Sequence, residues 1–258
     1  MKFQQIRSAT VKIDFAGKRF LVDPMLAPKG TYPGFEGTPN DHLRNPTVEL
    51  PLPVEAIIDV DAVIVTHTHE DHWDPEAVEA LPKDIMLLAQ NEADAEAIRN
   101  SGFTNVHLLG VDQPFDGLRI EKTGGQHGSD EIMATPGLGE RLGQVCGFVM
   151  SAEREKTFYL VGDSVWNSHV AEAIAAHKPD VIVMNSGDAQ VLGELSIIMT
   201  TADVGEVYRA APEATLISSH MEAVNHALLT RAEMRDFLAQ NAMTDRVLVP
   251  EDGESYTF

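Results

Sequence analysis

The sequence predicts an α/β protein in which two β-sheets pack face to face with helices outside them. Three observations lead there. Strand-like runs crowd the first part of the chain, strands and helical stretches alternate in the later part, and no linker, repeat or low-complexity segment separates the two. At 258 residues the chain can bury a sizeable core as one large domain or as two intimately packed halves.

Runs rich in β-branched and aromatic residues predict strands at 9–15, 19–22, 62–65, 85–89, 106–109, 119–122, 145–151, 157–161, 181–184, 215–218 and 246–249. Asp74-Pro75-Glu76 offers an N-cap, a first-turn proline and a first-turn acid, which predicts a helix to about residue 81. Residues 91–100 read as a helix closed by Gly102, and 165–177 have helical spacing that ends before Pro179. Helices are also expected at 200–211 and 230–241, the second opening with the capping box Thr230-x-x-Glu233. Residues 24–53 follow neither period. Proline and glycine punctuate them, with Tyr32, Phe35, His42 and Arg44 in between. A long irregular segment in a compact domain is a functional lid or a disordered piece. The aromatic and charged side chains favour a lid, in which Tyr32 and Phe35 give apolar contact and Arg44 fixes an anionic group by a bidentate contact.

Composition narrows the function. With 19 basic and 40 acidic residues the net charge is −21, which repels phosphate backbones and argues against a nucleic-acid partner. No run approaches the roughly 18 apolar residues of a membrane span, and Met1-Lys2-Phe3-Gln4-Gln5 lacks the apolar segment of a signal peptide. Cys146 is the only cysteine, so neither an internal disulfide nor a cysteine-based zinc site is available. A cytoplasmic protein is the expectation.

The most informative stretch is Thr66-His67-Thr68-His69-Glu70-Asp71-His72, directly after the apolar run 62–65. Imidazole and carboxylate are the preferred ligands of zinc and its first-row neighbours. His67 and His69 are two apart, so in an extended segment both project from one face and can share an ion. Asp71 and His72 lie past the turn and can reach a second ion. A polar loop that is merely histidine-rich seldom places H-x-H-x-D-H just after a buried strand.

The stretch resembles the signature of the metallo-β-lactamase superfamily, and the continuation Trp73-Asp74-Pro75 is most similar to its ascorbate-6-phosphate lactonase-like branch. The resemblance implies an αββα sandwich of two mixed sheets, which periodicity alone does not distinguish from other α/β folds. It also implies two metals and further ligands at later strand ends. His127, in Gly124-Gly125-Gln126-His127-Gly128, is one candidate, since flanking glycines let the backbone crowd the site. His107, inside a strand-like run, is its rival. Asp163, after 157–161 in Gly162-Asp163-Ser164, resembles the family's bridging carboxylate, leaving Ser164 to cap the following helix. His220 resembles the last ligand, with His226 as competitor and otherwise a substrate or supporting residue. The implied set is His67, His69 and His127 on one metal and Asp71, His72 and His220 on the other, with Asp163 between. Asp71 and Asp163 are the catalytic carboxylates in this reading. Asp23 resembles a family acid that supports the metal loop, or is a turn residue before Pro24. Asn185, Gly187 and Asp188 follow strand 181–184 and are expected on the same rim. His169 and His177 fall on a helix and read as structural.

Two divalent ions, Zn2+ with Mn2+ or Fe2+ as alternatives, would leave room for a shared water whose pKa falls from about 16 towards 7. The expected function is therefore hydrolysis of a lactone, ester or phosphoester in a small molecule, anionic ones included, by a metal-bridging hydroxide. Within the resemblance, His69 stands where oxygen- and nitric-oxide-reducing di-iron members carry Glu. The short acidic tail differs from the basic C-terminal region of glyoxalase II. A metal-binding sensor or partner-binding protein and a mononuclear iron dioxygenase are the alternatives, and a homo-oligomer is compatible with the sequence.

Overall fold

The first of two mixed sheets begins with the antiparallel strands β1 (Lys2–Arg7), β2 (Thr10–Phe15) and β3 (Lys18–Val22). It continues in parallel through β4 (Ala62–Val65), β5 (Met86–Ala89) and β6 (Val106–Leu108), and β15 (Ser255–Thr257) closes its other edge against β1. The second sheet runs β7 (Leu118–Gly124), β8 (Cys146–Ala152), β9 (Phe158–Leu160), β10 (Val181–Asn185), β13 (Thr215–Ser219) and β14 (Val247–Leu248). In that sheet β9, β10, β13 and β14 are parallel and β7 and β8 antiparallel. A small hairpin, β11 (Gln190–Val191) with β12 (Leu195–Ser196), stands apart. The structure, a computed structural model, describes residues 1–112, 114–191 and 195–258.

Alternation along each strand assigns one face to the space between the sheets and the other to the helices. Val11, Ile13, Phe20, Ile64, Phe148, Leu160, Val183 and Ile217 fill the intersheet core. Leu21, Val63, Val65 and Leu87 on the opposite face of the first sheet pack with α2 (Pro75–Ala80) and α3 (Glu92–Asn100) through Ala77 and Ile98. Tyr159, Ile182 and Leu216 on the second sheet meet α6 (Ser168–His177), α7 (Thr201–Ala210) and α8 (Arg231–Gln240) through Val170, Val204 and Met234. This is the αββα order of layers. The parallel strands are buried on both faces, which is why 62–65 and 181–184 read as continuous apolar runs.

Departures from the expected elements have local causes. β1 contains Gln4 and Gln5 and so lacks a clean apolar alternation, yet buried Gln5 accepts a hydrogen bond from Ser219 Oγ and donates one to the Ser8 carbonyl. Helix α6 begins at Ser168, not at 165: Asn167 caps it, accepting from the amides of His169 and Val170. Ser164 is therefore not the cap. Its hydroxyl accepts from the Gln126 amide and from Asn167 Nδ2, joining the loop of His127 to the turn of Asp163. The short helices α1 (Val54–Ile57), α4 (Asp130–Ala134) and α5 (Leu138–Leu142) are too brief to show a period in sequence.

Residues 24–53 form a strap pinned along its length. Met25, Leu26 and Ala27 are core residues. The fully buried Arg7 guanidinium donates to the carbonyls of Met25 (2.8 Å), Ala27 (2.8 Å) and Val48 (3.1 Å), holding both ends of the strap to the tip of β1. Burial pulls its pKa down to about 10, against the opposing pull of Asp74, Asp252 and Glu49, so it stays charged at neutral pH. Replacing Arg7 with Leu strips the donors from three carbonyls, at about 1–3 kcal/mol for each one left buried and unpaired. Urea unfolding of Arg7→Leu should show a loss of about 3 kcal/mol or more, with faster proteolysis within the strap. A loss below about 1 kcal/mol would show that the strap is held by other contacts.

Candidate active site

Five strand ends supply the site. Asp23 follows β3, the His67–His72 loop follows β4, Asp163 lies just past β9, Asn185 ends β10 and His220 follows β13. All five of these strands run parallel to a neighbour and deliver their carboxyl ends to one edge of the sandwich, where open α/β sheets place their sites. His127 joins from the loop after β7.

The expected ligands converge. His67, His69 and His127 form one cluster, Asp71, His72 and His220 a second, and His67, His72 and Asp163 link the two. His67 Nε2 lies 3.1 Å from His69 Nδ1, and His72 Nε2 lies 3.2 Å from His220 Nε2. Asp71 Oδ2 is 3.4 Å from His220 Nε2. Asp163 spans both clusters: Oδ2 is 3.0 Å from His72 Nε2, 3.8 Å from His127 Nε2 and 3.9 Å from His67 Nε2, while Oδ1 is 3.7 Å from His220 Nε2. Tetrahedral ligands about 2.1 Å from a zinc-sized ion stand roughly 3.4 Å from one another, so these separations suit shared ions.

The outward side of each ring tests the fit further. His72 Nδ1 meets the Asp23 carboxylate at 2.9 Å, and His127 Nδ1 meets the Ile197 carbonyl at 2.8 Å. His69 Nε2 meets the Arg141 carbonyl at 3.3 Å, His67 Nδ1 the Thr66 hydroxyl at 3.2 Å, and His220 Nδ1 the Ser8 hydroxyl at 3.3 Å. A carbonyl or carboxylate outside holds the ring proton outside and turns the lone pair of the other nitrogen inward, which is how ligating histidines are oriented. The residues present fit a pair of divalent cations. Asp23 carries more than a turn: its carboxylate also accepts from Thr66 N and Oγ1, both at 2.7 Å, and so fixes the start of the motif loop.

Charge divides the cluster. Burial, with His72 and His69 adding to it, holds His67 well below its ordinary pKa, and burial pushes His127 down to about 4. At His72 burial acts in the same sense, but Asp163, Asp23 and Asp71 together outweigh it and raise the ring well above its ordinary value. Burial would raise Asp71 and Asp163, yet the facing His72 and His220 bring both far below the usual carboxylate range. The half containing the acids therefore attracts positive charge, while His67 and His127 stay neutral.

The remaining candidates separate. Asn185 Nδ2 donates to Asp163 Oδ1 at 2.7 Å and steers the carboxylate. A Cβ on Gly187 would stand 1.9 Å from the His220 carbonyl, so only glycine lets this rim close. Asp188 does not reach the cluster: it accepts from Ser196 Oγ and Gln190 Nε2 and holds the β11–β12 hairpin. His42 is exposed and lies off the pocket, and Arg44 is turned into its own strap, donating to the carbonyls of Gly30 and Thr31. The anion contact expected of Arg44 is thus corrected, because the side chain is turned back onto the strap and does not line the pocket. His107 sits on the edge strand β6, hydrogen-bonded to Asn105. His169 is exposed and His177 half-buried on α6.

Over the cluster lies a cavity of about 270 Å³. His69, Asp71, His127, Asp163 and His220 form its floor. Leu138 and Leu142 of α5, with Val191 and Ile197, form an apolar wall, and the strap contributes Phe35 to Thr38. Among the described residues lining it, Arg141 is the one Lys or Arg. Arg141 was missed in sequence because α5 shows no period there and the carbonyl that orients His69 carries no side-chain signal.

Comparison with known proteins agrees with this geometry. Residues 18–221 match the beta-lactamase superfamily domain. The UPF0173 protein YddR of Bacillus subtilis (strain 168) is 48% identical over 259 residues, covering 100% of both chains. A UPF0173 metal-dependent hydrolase of Azorhizobium caulinodans is 24% identical over 269 residues, covering 99% of each. The crystal structure of isothiocyanate hydrolase from Delia radicum gut bacteria superposes with a TM-score of 0.97 at 47% identity, covering 100% of this chain and 99% of that one. No helix among the described residues is long and apolar enough to cross a membrane. The chain belongs to the metallo-β-lactamase superfamily and, within it, to the UPF0173 family.

Proposed function

We propose that the protein is a metal-dependent hydrolase of a small molecule with an apolar substituent and an electrophilic carbon, an isothiocyanate being the favoured class. The observation that carries the hydrolase reading is the convergence of His67, His69, His72, His127, His220, Asp71 and Asp163 beneath one pocket. His67, His69 and His127 would hold one ion, Asp71, His72 and His220 the other, and Asp163 both. Bound there, divalent ions supply an activated water and an electrophilic contact for the substrate. The isothiocyanate class is supported by the 47% identity to the isothiocyanate hydrolase over the full chain and by the wall of Leu138, Leu142, Val191 and Ile197. A cavity of about 270 Å³ suits a small ligand and no macromolecule.

The chain's own part is placement. Asp23, Asn185, Ser8 and the carbonyls of Ile197 and Arg141 hold the ligand side chains in register, so little reorganisation is needed when charge develops. The apolar wall and Phe35 exclude bulk water and seat a hydrophobic group. A lactone, ester or anionic phosphoester is the second reading, favoured by one observation: Arg141 at the pocket.

The purified protein should carry close to two divalent ions per chain by metal analysis, zinc foremost. Asp163→Ala should lose at least one ion and at least about 100-fold in activity, and Asp23→Ala should weaken metal binding about 10- to 100-fold. His107→Ala should retain both ions. Less than one ion per chain, with no activity gained on adding metal, would sink the dinuclear reading.

Benzyl isothiocyanate should be consumed with a rate proportional to enzyme, followed by its ultraviolet absorbance, and faster than a lactone or a 4-nitrophenyl phosphodiester. Turnover of a lactone or phosphodiester alone would overturn the isothiocyanate class and keep the hydrolase. In that case Arg141→Ala should raise KM for the anionic substrate while Arg44→Ala leaves it unchanged.

A further inference from the structure

His226 is buried, with 7% of its surface exposed, and lines the pocket beside the metal-ligand cluster without belonging to it. Its Nδ1 is buried with no hydrogen-bond partner. Nδ1 is closed off as well as unpartnered, leaving Nε2 as the ring nitrogen available to a ligand in the pocket. The ring is uncharged at neutral pH, because burial pushes its pKa down to about 4. Nε2 therefore offers an N–H or a lone pair, according to the tautomer.

The ring is also held still. Phe35 packs edge-on against it, centroids 4.9 Å apart at 86°. The His226 carbonyl accepts from Gln190 N at 3.0 Å, and Ala227 bridges to Ala189. On the other side Asn225 fixes the strap above it. Its Oδ1 accepts from Phe35 N (3.0 Å) and Asn45 Nδ2 (2.9 Å), its Nδ2 donates to the Pro39 carbonyl (2.7 Å) and Thr38 Oγ1 (2.8 Å), and its amide donates to Asn45 Oδ1 (2.8 Å). A ring this constrained is prepared for a ligand and loses little freedom when one binds.

We propose that His226 is a substrate-binding residue, hydrogen-bonding the heteroatom next to the electrophilic carbon while the apolar substituent lies against Leu138, Leu142, Val191 and Ile197. The inference rests on reading the pocket as the substrate site. For an isothiocyanate, hydrolysis adds the water oxygen to the central carbon and the water hydrogens to nitrogen and sulfur, giving R–NH–C(=O)–SH. The nitrogen is then the atom that His226 would hold, fixing which way the linear N=C=S group faces the floor of the pocket.

The test compares His226→Phe, which keeps an aromatic ring against Phe35 but has no ring nitrogen, with His226→Gln, which keeps a donor and an acceptor. Both are assayed with benzyl isothiocyanate, and binding of benzylthiourea, an unreactive probe with the same N–C–S grouping, is measured by calorimetry on the metal-loaded protein. Metal content and melting temperature are recorded alongside. His226→Phe should raise KM and weaken benzylthiourea about tenfold, with metal content unchanged, and His226→Gln should recover most of the difference. Unchanged binding in His226→Phe overturns the proposal, as does weakened binding that comes with lost metal, or a wild type that does not bind benzylthiourea. If the wild type binds benzylthiourea through His226 yet does not consume the isothiocyanate, the substrate class falls and the contact stands.

Discussion

The bond between the Asp23 carboxylate and His72 Nδ1 is the constraint on which the site depends. One carboxylate, fully buried, binds the ring of one cluster and the Thr66 amide and hydroxyl that open the motif loop. A buried negative charge is tolerable only with such partners. Here the partners, Thr66 and His72, are the first and last residues of the motif loop that carries four candidate ligands, so satisfying the acid and aiming the loop are the same event. Asp23 itself adopts φ +48°, a left-handed conformation that bends the chain off β3 and into the site.

From that point the two sheets depend on each other. The first sheet supplies His67, His69, Asp71 and His72, and the second supplies Asp163, His220 and, from the loop after β7, His127. Neither sheet has a complete set. The support is exchanged as well: Ser8, at the turn between β1 and β2 of the first sheet, contacts His220, and its carbonyl accepts from the His220 amide. The close packing of the intersheet core thus fixes distances between side chains that are far apart in sequence.

How much of this could be read from the sequence follows from where each signal is stored. The motif loop was legible because its candidate ligands crowd into six positions directly after a doubly buried strand. Asp163 and His220 were legible as polar residues at the ends of apolar runs, and the capping residues of α2 and α8 were written in side chains. The partners of His127 and His69 were not, because the carbonyls of Ile197 and Arg141 belong to the backbone and any residue could supply them. Arg44 stood out as a charged group in an irregular segment, whereas Arg141, in a stretch without a period, did not. Only the folded strap shows that Arg44 is turned onto the carbonyls of Gly30 and Thr31. β1 was missed because Gln5 faces a buried polar network, which alternation of apolar residues does not reveal.

Asn225 divides the pocket into two inherited parts. The floor is written in strand ends that must agree across both sheets, whereas the roof is gathered chiefly by one amide side chain touching Phe35, Thr38, Pro39 and Asn45. Drift in the strap can therefore reshape what enters without disturbing the floor, provided that the amide anchor is kept. Relatives sharing one chemistry could diverge in diet through roof residues alone, and their differences would leave no mark on the motif by which the family is known.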